Sequence, residues 1–281
     1  MANSIAMSLL DAKQKLTPFV ELPQLEAEIL LSTLLKQTRA YLYAHADEVL
    51  SDDINAEFRA QVKRRCQLEP IAYITGTKEF WSIELNITPD VLIPRPETEL
   101  LIEFVLNTFP SREDAMIVAD LGTGSGAIAL ALGNERKNWK IHAVDISERA
   151  LTIARKNAQT LSLTNVSFHL GNWCTALPSH SFDLLVSNPP YLSEGEWADY
   201  ATGLQYEPIT ALLSGVDGLE AIRMIALQAK AKLKRNGMLV FEHGFRQGEK
   251  VREILHELGY QHIHSLRDLE NRERVTYGAI A

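Results

Sequence analysis

Strand-like and helix-like segments alternate along the chain from Ile117 onward, and this alternation constrains the fold more than any other feature. Short apolar runs between turn residues predict strands, and longer amphipathic stretches predict helices. A strand–helix–strand order favours an α/β fold, a mostly parallel sheet with helices on both faces. The predicted strands are 117–119, 141–144, 166–170, 182–186 and 238–241, and the predicted helices are 127–132, 148–159, 219–233 and 248–258, with two strands in the tail from His262.

The chain before this region has two different patterns. Up to about residue 73, apolar residues such as Leu25, Ile29 and Leu30 recur at helical spacing, which predicts a small helical bundle. Between Ile71 and Ile93 the chain becomes β-branched and aromatic, with turn signals, which predicts a β-hairpin. We therefore expect a helical domain at 1–73, a hairpin linker at 74–95 and the α/β domain at 96–281.

Composition and charge exclude several classes of protein. The net charge is -8, and residues 1–95 (10 basic, 13 acidic) and 96–281 (18 basic, 23 acidic) are both acidic, which argues against a protein that binds nucleic-acid backbones. Cys66 and Cys174 form neither a disulfide framework nor a zinc pattern, which fits a reducing cytoplasm. We find no signal-peptide pattern and no apolar run long enough for a membrane span, so we expect a cytoplasmic protein with no membrane contact.

A glycine-rich loop, Asp120-Leu121-Gly122-Thr123-Gly124-Ser125-Gly126, follows the first predicted strand. Glycines let a ligand approach the backbone closely, so all five residues from Gly122 to Gly126 (Gly122, Thr123, Gly124, Ser125, Gly126) are candidate binding residues. Asp145 closes the second predicted strand, where an acid can bind both hydroxyls of a ribose. Without a ligand, the same sequence would be a tight turn between a strand and a helix.

Two details of the loop favour S-adenosylmethionine over a dinucleotide as the cofactor. The glycines follow a G-x-G-x-G spacing, whereas dinucleotide-binding loops follow G-x-G-x-x-G. The negative charge of Asp120 would repel a pyrophosphate but suits an ammonium or a sulfonium. Asp120 could instead only cap the loop.

Asn172 and Trp173 follow the third predicted strand, and in such a sheet this loop lies over the adenine. The Asn172 side chain can bond a base edge, and the Trp173 indole offers a stacking face. Trp173 could equally be a core aromatic, because tryptophan is usually well buried.

The segment Asn188-Pro189-Pro190-Tyr191 ends the fourth predicted strand, at the edge of the sheet where ligands bind. The two prolines stiffen the backbone and remove its donors, which leaves the Pro189 carbonyl free to accept. The Asn188 amide oxygen is a second acceptor, and Tyr191 can stack on a flat group. The alternative is a strand that simply ends at prolines.

These groups suit methyl transfer to a planar nitrogen. A conjugated NH2 is a poor nucleophile because its lone pair is delocalised. Two acceptors placed out of its plane favour a tetrahedral nitrogen with the lone pair directed at the methyl group. Positioning and electrostatics then supply most of the rate, and neither a strong base nor a metal is needed.

With these motifs the chain resembles the HemK/PrmC family, the glutamine N5-methyltransferases of peptide chain release factors. The similarity extends over nearly the whole chain, including the helical domain and the hairpin. The residues that carry it are Ile93-Pro94-Arg95-Pro96-Glu97-Thr98-Glu99, Asp120 to Gly126, Asn188 to Tyr191, Tyr206-Glu207-Pro208 with Ala211-Leu212, Glu242-His243-Gly244 and Asn271-Arg272-Glu273-Arg274-Val275.

The resemblance implies a Rossmann-like methyltransferase domain that methylates the glutamine of the Gly-Gly-Gln motif in class I release factors and so modulates translation termination, with S-adenosylhomocysteine as the second product. It implies cofactor contacts from residues 122–126, Asp145, Trp173 and Asn188, and binding of the glutamine by Asn188, Pro189, Pro190 and Tyr191. The helical domain and the hairpin would help to hold the release factor, and we expect a monomer. Many relatives have Asp at the position of Asn172, whose amide should still bond the adenine amino group.

Two other functions are compatible with parts of the sequence. A DNA or RNA base methyltransferase also acts on a conjugated nitrogen, but it would need a basic recognition domain and, on a duplex, base flipping. A non-catalytic adaptor could bind a translation partner through the helical domain. The intact glycine loop, Asp145 and the Asn188 segment argue against the adaptor.

Overall fold

The computed structural model describes residues 3–281, with the backbone alone for 201 and 202. The chain divides into two compact units, one that ends at Thr77 and one from Lys78 to Ala281. Within residues 3–281, no helix combines the length and the apolar character needed to cross a bilayer.

The first unit is helical, as the sequence predicts. Serine and threonine residues precede three of its helices, and the side chains of Ser4, Thr38 and Ser51 accept backbone N–H groups in the first turn. Leu16, Leu30 and other apolar residues at helical spacing form its buried core. The helices in residues 3–77 are α1 (Ile5–Leu16), α2 (Pro23–Leu35), α3 (Arg39–Ala44), α4 (Asp52–Cys66) and α5 (Ile71–Thr75).

A short hairpin follows, made of β1 (Thr77–Phe80) and β2 (Ile83–Asn86). It starts later than the pattern from Ile71 suggested, because α5 forms between Pro70 and Gly76, whose φ of 78° ends the helix. Trp81 and Ser82 form the turn with φ values of 47° and 58°, without the glycine such turns usually contain. The Trp81 backbone N–H donates to Glu99 Oε1 (2.9 Å), which helps to hold this conformation.

The second unit contains a seven-stranded sheet, and it confirms the predicted α/β fold. The strand order is β5-β4-β3-β6-β7-β9-β8, with β3 to β7 parallel and β9 antiparallel to both neighbours. The chain reverses its direction across the sheet between β3 and β6, which is where ligands bind in such folds. The strands are β3 (Ile117–Leu121), β4 (Lys140–Asp145), β5 (Val166–Leu170), β6 (Phe182–Ser187), β7 (Leu233–Glu242), β8 (Gln261–Arg267) and β9 (Glu273–Ala279).

Helices cover the sheet. Alternate strand residues such as Ala119, Leu121 and Leu185 are fully buried in one apolar cluster with residues of the last two helices, so the period-two pattern sets which side chains meet them. The helices of this unit are α6 (Glu99–Thr108), α7 (Ala127–Glu135), α8 (Glu148–Thr160), α9 (Glu194–Leu204), α10 (Glu220–Ala229) and α11 (Gly248–Glu257).

Three further elements, α10, β7 and α9, differ from the prediction. The helix predicted for 219–233 ends at Ala229, because the Lys232 carbonyl accepts the backbone N–H groups of Ser181 and Phe182 and so joins the sheet. Strand β7 therefore begins at Leu233 rather than 238. Helix α9 was not predicted, although Ser193 and Glu196 form a capping box at its start, a motif that is readable in sequence.

Candidate active site

Two cavities lie side by side at the carboxyl ends of the parallel strands. The first, here called the glycine-loop cavity, has a volume of about 560 Å³. The second, here called the tyrosine cavity, has a volume of about 360 Å³. Asn188 lines both cavities, Pro190 lines the first, and Pro189 and Tyr191 line the second. The Asn-Pro-Pro-Tyr segment therefore forms the wall between them.

The glycine loop is tied to the end of β4. The backbone N–H groups of Gly122 and Thr123 donate to the Val144 carbonyl (2.8 and 3.0 Å). Gly122 has a φ of 77°, and a Cβ there would lie 3.0 Å from Trp173 Cζ3, so this position has neither the conformation nor the space for a side chain. Gly122 and Gly124 line the glycine-loop cavity.

Three predicted loop residues do not line this cavity in the described part of the chain. The Thr123 hydroxyl donates to Asp120 Oδ2 (2.6 Å), and the buried Ser125 has its carbonyl accept from Asn157 Nδ2 (2.9 Å). Gly126 lies at the start of α7 with a φ of 87°. Thr123, Ser125 and Gly126 therefore stabilise the conformation of the loop and do not form the cavity wall.

Asp145 lies at the end of β4 and lines the glycine-loop cavity. Its carboxylate accepts the backbone N–H groups of Gly124 (2.9 Å) and Ser147 (2.9 Å). Burial raises its pKa, and these two hydrogen bonds oppose the rise because they favour the ionised form. The loop, the acid and the following helix are thus held as one unit.

Asn172 and Trp173 also line this cavity, next to the end of β5. Trp173 packs partly against the apolar core while its indole lies against Gly122, so it is both a core aromatic and a cavity wall. The Asn172 side chain accepts the Thr175 backbone N–H in a capping box, and the Asn172 backbone N–H donates to Thr175 Oγ1 (3.1 Å). The Asn172 amide oxygen, which the predicted bond to the adenine amino group would need, therefore already accepts one hydrogen bond, whereas the amide nitrogen can donate to an adenine ring nitrogen.

Asp120 is fully buried beneath the loop and is absent from the described lining of either cavity. Its Oδ2 accepts from Thr123 Oγ1 and from the Ala129 backbone N–H (3.1 Å), so it caps the loop and the start of α7. Of the two roles open from the sequence, the geometry is that of the cap. Burial raises the pKa of Asp120 to about 7.

The Asn188 amide has a fixed neighbour in the described structure. Its Nδ2 donates to Thr98 Oγ1 (3.1 Å), and the Thr98 hydroxyl in turn interacts with the carboxyl group of Glu242. Because the amide nitrogen is engaged, the amide oxygen is the atom available to an incoming donor. Tyr191 is half-buried nearby, and burial raises the pKa of its phenol, which is therefore neutral.

Two buried residues near the site, Asn157 and Glu207, have structural roles that the sequence did not predict. Asn157 is fully buried on α8 and bonds Asn86 of the hairpin as well as the Ser125 carbonyl. Glu207 is buried and accepts the Ile93 backbone N–H (3.1 Å) and the Arg95 guanidinium, which fixes the segment before α6. Pairings between such distant positions leave no local signal, so only the fold reveals them.

The charges of the glycine-loop cavity fit a cationic ligand. Its described lining carries the acids Asp90, Asp145 and Glu220, and the single base Arg149, which pairs with Asp90 (3.5 Å). A pyrophosphate would need the opposite balance. The acidic lining, the indole of Trp173 and the close backbone at Gly122 together fit S-adenosylmethionine, with its sulfonium, ammonium and adenosine.

The buried Asp120 makes stability depend on pH. Its pKa of about 7 lies above its ordinary value of 3.8, so the stability it contributes is full below that ordinary value and is lost as pH rises towards about 7. We expect Asp120→Asn to reduce the fall in unfolding free energy over this range, measured by urea titration. The exposed Asp114→Asn controls for the loss of one charge and should fall as the wild type does. An Asp120→Asn curve parallel to wild type would contradict the assignment.

Comparison with known proteins shows the family to which the chain belongs. Residues 8–76 match the PrmC N-terminal domain, and residues 97–204 match the methyltransferase small domain. The chain is 44% identical to the release factor glutamine methyltransferase of Coxiella burnetii over 97% of both chains. It is 42% identical to that of Shewanella oneidensis, over 98% of this chain and 96% of the relative. It is 40% identical to that of Escherichia coli K12, over 92% of each.

Solved structures share the fold at lower identity. The hMettl16 catalytic domain in complex with an RNA hairpin superposes with a TM-score of 0.59 at 17% identity, covering 84% of this chain and 85% of that one. A methyltransferase from Pyrococcus furiosus superposes with a TM-score of 0.52 at 16% identity, covering 82% and 98%. The full-length matches confirm the resemblance found in the sequence: the chain belongs to the release factor glutamine methyltransferase family.

Proposed function

We propose that this protein transfers the methyl group of S-adenosylmethionine to the side-chain amide nitrogen of the glutamine in the Gly-Gly-Gln motif of class I release factors. S-adenosylhomocysteine and one proton from the amide NH2 are the other products. The observation that carries the proposal is the position of Asn188, which lines both cavities with its amide nitrogen engaged by Thr98. The names of the full-length relatives support the substrate.

The glycine-loop cavity holds the cofactor in this proposal. Asp145 binds the ribose hydroxyls, Trp173 and Asn172 bind the adenine, and the backbone at Gly122 and Gly124 faces the amino-acid part. Thr123, Ser125 and Gly126 keep the loop in shape. When bound, the cofactor supplies an electrophilic methyl group on a sulfonium.

The tyrosine cavity holds the glutamine side chain. Asn188 Oδ1 and the Pro189 carbonyl accept the two hydrogens of its NH2, which favours a nitrogen with an available lone pair. The neutral Tyr191 packs against the flat amide, and Pro190, predicted to bind the glutamine, lines the glycine-loop cavity and so borders the amide from the cofactor side. Because the two acceptors act mainly as charge becomes localised on nitrogen, they stabilise the transition state more than the bound substrate.

The proposed role of the first unit and the hairpin follows from the family, and the argument against a nucleic-acid substrate follows from the net charge. The unit that ends at Thr77, together with the hairpin, would bind the body of the release factor. Methylation would then modulate translation termination by a monomeric, cytoplasmic enzyme. The net charge of -8 argues against a nucleic-acid substrate, although a base methyltransferase is the alternative that the experiment must exclude.

A labelling assay tests the proposed function. The protein is incubated with S-adenosylmethionine labelled in its methyl group and with a class I release factor, with that factor carrying Gln→Ala in its Gly-Gly-Gln motif, or with DNA or RNA. We expect label in the first reaction alone. Label confined to nucleic acid would support the base methyltransferase and overturn the proposal.

Asn188→Ala tests the acceptor role. Turnover should fall by about 10²–10³-fold, because a preorganised transition-state acceptor is lost. The affinity for S-adenosylmethionine, measured by calorimetry, should change little, because the amide acts mainly on the substrate nitrogen. Asn134→Ala, an exposed position on α7, is the control and should behave as wild type. Near-normal turnover of Asn188→Ala would refute the role.

Gly122→Ala tests the cofactor cavity. Its Cβ would press on Trp173 in the cavity wall, and overpacking costs of about 1–3 kcal/mol predict a cofactor Kd raised about 5- to 150-fold. Gly76→Ala is a matched control, because Gly76 has a φ of 78° with nothing within 4 Å of an added Cβ. The left-handed φ should lower the unfolding free energy by about 1–2 kcal/mol in both variants, and the contact with Trp173 should add to this loss in Gly122→Ala. An equal effect on cofactor Kd in both would contradict the assignment.

A further inference from the structure

Three side chains from distant parts of the sequence meet beside Asn188. Thr98 is buried at the end of a short 3-10 turn, Pro96–Thr98, that leads into α6. Glu242 is buried at the end of β7. Strands β6 and β7 are paired, with Ser187 opposite Phe241, so Asn188 and Glu242 leave the sheet side by side. Thr98 Oγ1 accepts a hydrogen bond from Asn188 Nδ2 (3.1 Å), and its hydroxyl lies close enough to the Glu242 carboxyl to interact with it.

The direction of each hydrogen bond among Glu242, Thr98 and Asn188 follows from which atoms of these groups can donate and which can only accept. A carboxylate only accepts, so in its ionised form Glu242 takes the hydroxyl hydrogen of Thr98. The Thr98 oxygen then has only lone pairs to offer, and its other partner must be a donor. The Asn188 NH2 is that donor, at 3.1 Å. The Asn188 oxygen must consequently face the other way.

The orientation matters because an asparagine amide is nearly symmetric in shape. A rotation of 180° about its terminal bond exchanges oxygen and nitrogen at little steric cost. In the rotated form the Asn188 NH2 would face the NH2 of the substrate, so two donors would meet and the acceptor would be lost.

We propose that Thr98, itself oriented by Glu242, is a positioning residue that fixes the Asn188 amide with its oxygen towards the methylated nitrogen. The inference rests on the proposed function, because it assigns a use to that oxygen. Neither Thr98 nor Glu242 touches the reacting atoms in this account. Both act through Asn188.

The burial of Glu242 supports a specific role. Its Oε2 has no hydrogen-bond partner in the described structure, and an acid buried in this way destabilises the fold. Burial raises the pKa of Glu242 to about 7, a rise that Arg274 and Arg95 oppose and that Glu97 adds to, so the group is a carboxylate only above about pH 7. An apolar residue would be less costly here, but it could not give the Thr98 hydroxyl a direction.

Thr98→Val tests the proposal, with Thr98→Ser as the matched control. Valine keeps the shape and removes the hydroxyl, whereas serine keeps the hydroxyl. In buffer well above pH 7, so that Glu242 is a carboxylate, we expect Thr98→Val to lower kcat on the release factor by about 10- to 100-fold. Thr98→Ser should stay within about threefold of wild type, and cofactor Kd should stay unchanged in both. Equal losses in the two variants would overturn the proposal.

Double variants separate positioning from a general structural effect. If Thr98 acts through Asn188, Thr98→Val should cost nothing further in an Asn188→Ala background. Likewise, Glu242→Gln should lower kcat in the wild-type background but not in the Thr98→Val background. Additive losses in either cycle would show that these residues act independently and would refute the inference.

A spectroscopic readout distinguishes this inference from the proposed function. In protein labelled with 15N-asparagine and free of substrate, the Asn188 NH2 signals are identified by their loss in Asn188→Ala. We expect a downfield, hydrogen-bonded proton in wild type and Thr98→Ser that is lost in Thr98→Val. Unchanged signals in Thr98→Val would overturn the positioning role even in an active enzyme. A wild type that fails to methylate release factors would overturn the function whatever the spectra show.

Discussion

The parallel pairing of β3 with β6 is the constraint on which the rest of the site depends. It joins the strand that ends in the glycine loop to the strand that ends in Asn188, with Asp120 opposite Val186. The Ser187 hydroxyl donates to the Leu121 carbonyl (2.6 Å) just before both loops begin, so the two strand ends are held in register. The two cavities, and the wall between them, follow from this one pairing.

A rigid framework behind the loops keeps them in place. Asp120 caps the glycine loop from below, Asn157 ties the loop to the hairpin, and Glu207 fixes the segment before α6. Each of these polar groups is buried, and each satisfies backbone groups that would otherwise lack partners. A reaction that depends on positioning more than on acid–base chemistry needs this kind of support.

The sequence predicted most of the α/β fold because the signals for it are local. Strand β5 was predicted at 166–170 and is formed by Val166–Leu170. The predicted end of α10 was wrong because the Lys232 carbonyl accepts the backbone N–H groups of Ser181 and Phe182, where β6 begins. Such a pairing partner cannot be read from one segment of the sequence. The sequence also indicated that Asn188 and the glycine loop share one edge. It did not indicate that Thr98, Asn188 and Glu242 lie together, because Asn188 and Glu242 become neighbours only when β6 pairs with β7.

The proposed reaction is tested best by identifying the atom that receives the methyl group. A class I release factor would be incubated with the protein and unlabelled S-adenosylmethionine, digested, and its peptides fragmented in a mass spectrometer. The account predicts one added methyl group on the side chain of the Gly-Gly-Gln glutamine, with the fragment ions locating it on the amide nitrogen. A methyl group on any other residue, or an unmodified glutamine after prolonged incubation, would contradict it.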